Sequence, residues 1–153
     1  MKNEEFRRIL RRKISISTLA HVQFPCYNHK GGLILLGENV LYEKSLKFSV
    51  RIVELRKYLN SEKREYDLAS QILNSGTSIG ANVNEANYAQ SKADFTSKLH
   101  IALKEASETL YWLHVLKATD YLTPKVADSL ISDCEELKKL LISSINTAKK
   151  HSC

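Results

Sequence analysis

The stretch "SGTSIGANVNEA", Ser75 to Ala86, carries two glycines, two asparagines and three hydroxyl residues in the middle of a long helical pattern. It could be a phosphate-binding loop, a break between elements, or a helix made thin. A phosphate loop needs a GxxxxGK[ST] run after a strand, because a lysine must reach the phosphates. Here Gly76 is followed at the fourth position by Gly80, no lysine is present, and a helical pattern precedes it. A break at Gly76 with a fresh cap at Thr77 is possible, since glycine commonly follows a helix end. Yet Ile72, Gly76, Ile79, Val83 and Ala86 keep one face in phase across the whole stretch. Each glycine in a helix interior costs roughly 1 kcal/mol relative to alanine. A packing gain must therefore offset about 2 kcal/mol, and glycines four apart on one face admit another backbone closely. The stretch is expected to be continuous helix with a close-contact groove. Asn82, Asn84 and Glu85 then lie on or beside the bundle, where hydrogen bonds to a neighbouring helix are the expected role and ligand binding the alternative.

Working outward, three more segments share this period. Before it, Asn39–Leu59 repeats apolar residues at Leu41, Phe48, Ile52, Leu55 and Leu59, with Ser45 in the stripe. Asn39 is a candidate N-cap, and Asn60-Ser61 is expected to end this segment and cap the next, which runs from about Glu62 to Ala89 through Leu68 and Ile72. After the opening stretch, "SKAD" at Ser91 fits a capping box. The stripe that follows is Phe95, Leu99, Ala102, Ala106, Leu110 (or Thr109), Leu113 and Leu116. The last segment opens at Thr123-Pro124, with proline at the first helical position. It continues through Val126, Leu130, Cys134, Leu137, Leu141, Ile145 and Ala148. Connections of about two to six residues make neighbours antiparallel. The expected fold is all-α, an up-down-up-down antiparallel four-helix bundle over residues 37–153. Residues 1–36 read as a basic, disordered segment: "PCYNHKGG" at Pro25–Gly32 reads as loop or disorder, and "EEFRRILRRKI" could form a short basic helix with Phe6, Ile9, Leu10 and Lys13 on one side, marginal by itself in water.

The chain's 153 residues suit one domain. Its net charge of +6 is unevenly placed: residues 1–36 hold seven Lys/Arg against two Glu, and the remainder sixteen basic against fifteen acidic side chains. The first part is thus +5 and the body +1. No apolar run approaches the roughly 18–20 residues of a membrane span, and the longest, Leu33–Leu36, is short. Basic residues do precede "ISISTLAHVQF", but polar interruptions and the lack of a small-residue cleavage site argue against an export signal. Cys26, Cys134 and Cys153 are odd in number and share no motif spacing, which points away from a disulfide framework and towards the cytoplasm.

No catalytic motif emerges. Di-iron bundles use Glu-x-x-His, and the residues three before the five histidines are Thr18, Cys26, Ser97, Tyr111 and Ala148. "CYNH" at Cys26–His29 is half a zinc site without the other half. His100 and His114 would lie about 21 Å apart along a helix, too far to share a ligand. The expectation is a protein that is not an enzyme, with no cofactor, metal, membrane or small-molecule substrate. The third segment does carry a second stripe, Ile101, Glu105, Glu108, Trp112 and Val115, which suits a subunit interface or a tryptophan half-buried at the bundle edge. Lys44, Lys47 and Arg51, extended by Arg56 and Lys57, form a basic stripe on the first segment, with Lys138, Lys139, Lys149 and Lys150 on the last. These could meet phosphates or simply solvate the surface.

Together "YEKSLKFSVRIVELRKYL" and "QILNSGTSIGANVNEANYAQSKADFTSKLHIALKEASETLYWLHVL" resemble the bacterial four-helix-bundle proteins encoded by intervening sequences within 23S rRNA genes. The same superfamily includes the accessory variability protein of diversity-generating retroelements. The resemblance covers Asn39 to Lys150. Its motif falls on "SGTSIGAN" (including Gly76, Gly80 and Asn82), Glu85, Lys104, Glu105, Glu108, Tyr111, Trp112 and Leu113. It implies a ring-like homo-oligomer, a pentamer, and no enzymatic activity. RNA or ribosome association is implied by gene location, and nucleic-acid and nucleoprotein binding by the retroelement relatives; a protein–protein adaptor without nucleic acid is the alternative. The first 36 residues have no counterpart in the family and are expected to be disordered or an extended reading frame.

Overall fold

The computed structural model of the protein describes residues 40–150 together with residues 26, 27, 33 and 34. Four helices carry the fold: α1 (Val40–Glu62), α2 (Asp67–Ala86), α3 (Lys92–Ala118) and α4 (Pro124–Lys150). Ahead of them, Cys26–Tyr27 (β1) pairs antiparallel with Leu33–Ile34 (β2). This two-residue ladder falls where loop was expected. The remaining sequence expectations for residues 1–36, and the cap at Asn39, lie outside the described residues.

Contacts between named atoms fix the helix directions. Ile52 meets Gly76 while Ser49 meets Gly80, so α1 and α2 run oppositely. Lys117 bonds Asp128 while Cys134 bonds the Ala106 carbonyl, so α3 opposes α4. Lys44 pairs with Glu136 and Arg51 with Asp133, so α1 opposes α4. It follows that α2 and α3 are antiparallel too, and the chain is an up-down-up-down bundle.

The ends of the helices show which signals count. Ser91 Oγ accepts from Asp94 N at 3.1 Å, and Asp94 Oδ2 accepts from Gln90 N at 3.1 Å, one residue before the expected return. Thr123 precedes Pro124 as expected, its carbonyl taking the amide of Ala127 at 3.0 Å. The first break differs from expectation. Helix α1 runs through Asn60 and Ser61, and the chain turns over residues 63–66 with Arg64 left-handed at φ 50°. The Leu59 carbonyl takes both Lys63 N (3.2 Å) and Glu65 N (3.0 Å), and Glu65 Oε1 caps α2 by accepting from Leu68 N at 2.6 Å. The α3–α4 turn repeats the device: Asp120 has φ 58°, and Leu122 N reaches the Leu116 carbonyl at 3.2 Å.

The core follows the apolar stripes. All six expected α1 positions, Ser45 included, are buried. In α3 the choice between Leu110 and Thr109 falls to Thr109, whose hydroxyl donates to the Glu105 carbonyl at 2.7 Å. In α2, Ala69 and Ser75 join the core while Leu68 is half-buried. In α4, Ala127 and Ile131 are buried while Val126 and Ala148 are half-buried. Cys134 sits in this core, and its thiol donates to the Ala106 carbonyl at 3.4 Å.

Through Ser75–Ala86 the helix is unbroken. Its polar side chains turn back on their own helix: Ser75 and Thr77 donate to the carbonyls of Gln71 (3.0 Å) and Leu73 (2.7 Å). The glycines face α1. A Cβ at Gly76 would lie 2.8 Å from Ile52 Cγ1 and 2.9 Å from its Cγ2, and one at Gly80 would lie 2.8 Å from Ser49 Oγ and 3.4 Å from the Ser45 carbonyl oxygen. The two sites are not equivalent. Ile52 is branched where the clash falls and cannot step aside, whereas the Ser49 hydroxyl can rotate.

Gly76→Ala is therefore expected to destabilise the protein by about 1–3 kcal/mol despite alanine's better helix propensity, while Gly80→Ala costs less. In an Ile52→Ala background the penalty of Gly76→Ala should vanish, as a double-mutant cycle from urea unfolding will read. Gly80→Leu, driven towards the Ser45 backbone, should lose about 3 kcal/mol.

Burial pushes the Cys134 thiol from its ordinary 9.0 up to about 12, with Asp133 and Glu135 adding to the rise and Lys138 opposing it. Below pH 9 the thiol is protonated folded and unfolded alike. Between pH 9 and about 12 only the unfolded thiol ionises, so native stability falls with pH across that window. Cys134→Ala should flatten the decline of urea-unfolding stability above pH 9. In a Cys26→Ser, Cys153→Ser background, Cys134 should react with a disulfide reagent only as fast as the protein opens.

Candidate assembly and nucleic-acid surfaces

Two surfaces collect the candidate residues. The first is the basic flank of α1. Seven residues separate Lys44 from Arg51, which puts both on one side of the helix. That side faces α4. Lys44 Nζ lies 2.8 Å from Glu136 Oε1. Arg51 is more deeply held, its side chain only 18% exposed: Nη1 pairs with Asp133 Oδ2, and Nη2 donates to Ser129 Oγ at 3.0 Å. Lys57 pairs within its own helix with Glu54 Oε1 at 2.8 Å. Among the described residues, Lys47, Arg56, Lys138 and Lys139 hold no ion pair; Arg56 and Lys139 are exposed, Lys47 and Lys138 half-buried.

The expected nucleic-acid stripe is thus split, with Lys44 and Arg51 closing the seam between the first and last helices. Sequence reading missed Ser129, Asp133 and Glu136 as its partners. The signal was present on α4 as a polar row, Ser129, Asp133 and Glu136, at spacings of four and three and acidic at its last two positions, complementary to a basic row on the helix that an up-down bundle places beside it.

The second surface is the outer flank of α3, on the side that meets α2. Lys98 of α3 bonds Glu85 of α2; that hydrogen bond, and then the carboxylate's charge, hold the Lys98 ammonium above its ordinary pKa. Glu85 therefore acts between helices as expected. Asn82 does not, since its Nδ2 donates to the Ser78 carbonyl of its own helix at 2.9 Å. Further along α3, Trp112 Nε1 donates to Glu108 Oε1 at 3.2 Å. The rings of Tyr111 and Trp112 meet edge to face with centroids 5.0 Å apart. Trp112 is half-buried with its body against the core, Glu105 and Val115 are half-buried, and Tyr111 (61%) and Ile101 (39%) are exposed. Helix α3 already buries a complete stripe, Leu99 to Leu116, on its inner side. The second stripe is left open.

Among the described residues no group of three or more His, Cys, Asp or Glu could hold a metal ion, and no helix is long and apolar enough to cross a membrane.

Residues 37–143, which span all of α1–α3 and most of α4, match the family described as 23S rRNA-intervening sequence protein. The chain belongs to that family. A crystal structure at 1.70 Å of a protein with unknown function from the S23 ribosomal protein family of Bacteroides thetaiotaomicron is 56% identical, with a TM-score of 0.69. The match covers 69% of this chain and 98% of that one. No curated protein matches the chain. Both family stretches, "SGTSIGAN" on α2 and the Glu105–Leu113 run on α3, lie within the 23S rRNA-intervening sequence match.

The seam gives a stability expectation that separates structural from solvating cations. Arg51→Ala should destabilise by about 1–2 kcal/mol, because a half-buried, multiply bonded guanidinium leaves its partners unpaired. Lys57→Ala, an exposed neighbour pair within one helix, should stay within about 0.5 kcal/mol. Urea unfolding at low and high salt will read both.

Proposed function

We propose that this protein is a non-enzymatic, self-assembling binding protein that joins copies of itself through the outer face of α3. As an assembly, a ring of five, it associates in the cytoplasm with structured RNA, ribosomal RNA foremost, or with a nucleoprotein. The observation that carries the assembly is the open stripe of α3. A helix needs one buried face to join a bundle, yet α3 presents Ile101, Tyr111 and half of Trp112 after that face is filled. Aromatic residues of this kind anchor interfaces, and a second copy supplies a self-complementary or ring-closing partner. The RNA half is supported by the family description, which ties these bundles to 23S rRNA.

A second reading, a protein–protein adaptor without nucleic acid, is favoured by the engagement of Lys44, Arg51 and Lys57 with carboxylates. The two readings part on salt. Binding of a structured 23S rRNA fragment by the full chain, with a steep negative log–log salt slope, supports the first. Absence of binding at low salt by the intact oligomer leaves the adaptor.

Light scattering of the wild-type chain should give a multiple of 17.4 kDa. Ile101→Asp with Tyr111→Asp, both at exposed positions, should reduce the mass to that of a monomer while the helical circular dichroism is retained. Trp112 is the one tryptophan in the sequence, so its emission should move to longer wavelength in the same variant. An unchanged mass would show that α3 is not the contact.

A further inference from the structure

Helix α1, like α3, carries a second apolar row. Its core stripe runs from Leu41 to Leu59, yet Leu46, Val50 and Val53 follow one another at spacings of four and three on the opposite side. Leu46 and Val50 are half-buried, Val53 is 37% exposed, and none of the three belongs to the buried core. A helix needs one apolar face to join a bundle, so α1 and α3 each hold one to spare. Val53 lies one turn beyond Ser49, whose hydroxyl faces Gly80 of α2. The row on α1 therefore inclines towards α2, as the open stripe of α3 does.

The charges beside the two rows are complementary. Along α3 the order is Lys104, Glu105, Glu108, and along α1 it is Glu43, Lys47. Among the described residues these side chains hold no ion pair. Lys104 and Glu108 are four apart, as are Glu43 and Lys47, so helices running the same way can set each charge opposite its counterpart. The same register brings Tyr111 beside Val50, each seven residues further on. Within one chain α1 and α3 do run the same way, because both oppose α4. Rotation about an axis along the bundle preserves helix direction, and α3 of one copy then lies parallel to α1 of the next.

We propose that the outer stripe of α3 in one copy seats on the Leu46–Val53 row of α1 in the next, joining copies of this chain head to tail. The inference rests on the assembly reading above and names the surface that receives α3. In a ring of five each junction joins two different surfaces, since neighbours are related by rotation about the ring axis and not by a two-fold. Because both rows incline towards α2, successive copies turn relative to one another instead of extending straight, as closure requires.

The test uses the full chain. Ile101→Asp with Tyr111→Asp blocks the α3 surface, and Val50→Asp with Val53→Asp blocks the α1 surface. Each variant should fall to monomer mass by light scattering, with helical circular dichroism retained. Mixed in equal amounts, the two should form a dimer and nothing larger, since one sound α3 surface and one sound α1 surface remain between them. Lys47→Glu and Glu108→Lys should each lower the assembled mass, and together in one chain should restore it. Should the aspartates unfold α1, this charge reversal, at half-buried Lys47 and exposed Glu108, decides alone. If the α1 variant keeps the wild-type mass while the α3 variant is monomeric, the α1 surface is overturned and assembly through α3 stands. If the α3 variant keeps the wild-type mass, or the wild type is itself a monomer, the assembly reading fails and takes this junction with it. If both variants are monomeric, yet their mixture stays monomeric and the paired charge reversal restores nothing, α3 does not seat on α1.

Discussion

The contact between Ile52 and Gly76 sets the geometry on which the rest of the bundle depends. A glycine Cα without a Cβ allows the branched side chain of α1 to settle on the backbone of α2, and one turn away Gly80 receives Ser49 in the same manner. The contact fixes the separation of the two helices and the rotation of α1 about its axis. With Ser45, Ser49 and Ile52 committed to α2 and Phe48 and Leu55 to the core, Lys44 and Arg51 are left on the flank that meets α4. A steric choice on the second helix thereby decides which charges the first helix shows to solvent.

The consequence reaches function. Salt bridges between exposed groups contribute little stability, and two long side chains at a seam would ordinarily count as decoration. Arg51 is different because it is mostly covered and bonded to both Ser129 and Asp133. Helices α1 and α4 are the neighbours that touch least, so their junction leans on polar links where the other junctions lean on packed apolar side chains. A cation that closes a seam is unavailable to a phosphate.

Much of this was legible in the sequence, for a physical reason. The period of 3.6 survives in Leu41–Leu59 and in Ile72–Ala86 because burial of one face dominates every other preference there, including two glycines. The box at Ser91 and the proline at 124 were readable because each signal is contained in a few neighbouring residues. The first turn was misplaced because it is made by Arg64 in a left-handed conformation that glycine or asparagine usually announces. Asn60-Ser61, which resembles a stop, stays helical instead. Asn82 sits where a bridge between helices is expected, but its amide finds the Ser78 carbonyl of its own helix first. The cross-helix pairing of Lys44 and Arg51 escaped because a stripe on one helix reveals its spacing and not its partner. Lys44 and Glu136, far apart in sequence, meet only once the fold is known.

Helix α3 distributes its volume in an unusual direction. Its inner face is built at three of six positions from Ala102, Ala106 and Thr109, small enough for the Cys134 thiol of α4 to reach the Ala106 carbonyl. Its outer face holds Ile101, Tyr111 and the open side of Trp112, with Glu108 oriented by the indole N–H. A helix that served only its own bundle would place the large residues inward, where each fully buried side chain contributes about 1.5–3 kcal/mol, and leave the outside to short polar ones. The inversion makes sense if the outside is also an inside. Small residues draw α3 close to its neighbours in the bundle, and the large ones are held out, edge to face and already partly ordered, so that less conformational freedom remains to be lost when a second surface arrives. Assembly on this face would then complete a burial that the single chain begins.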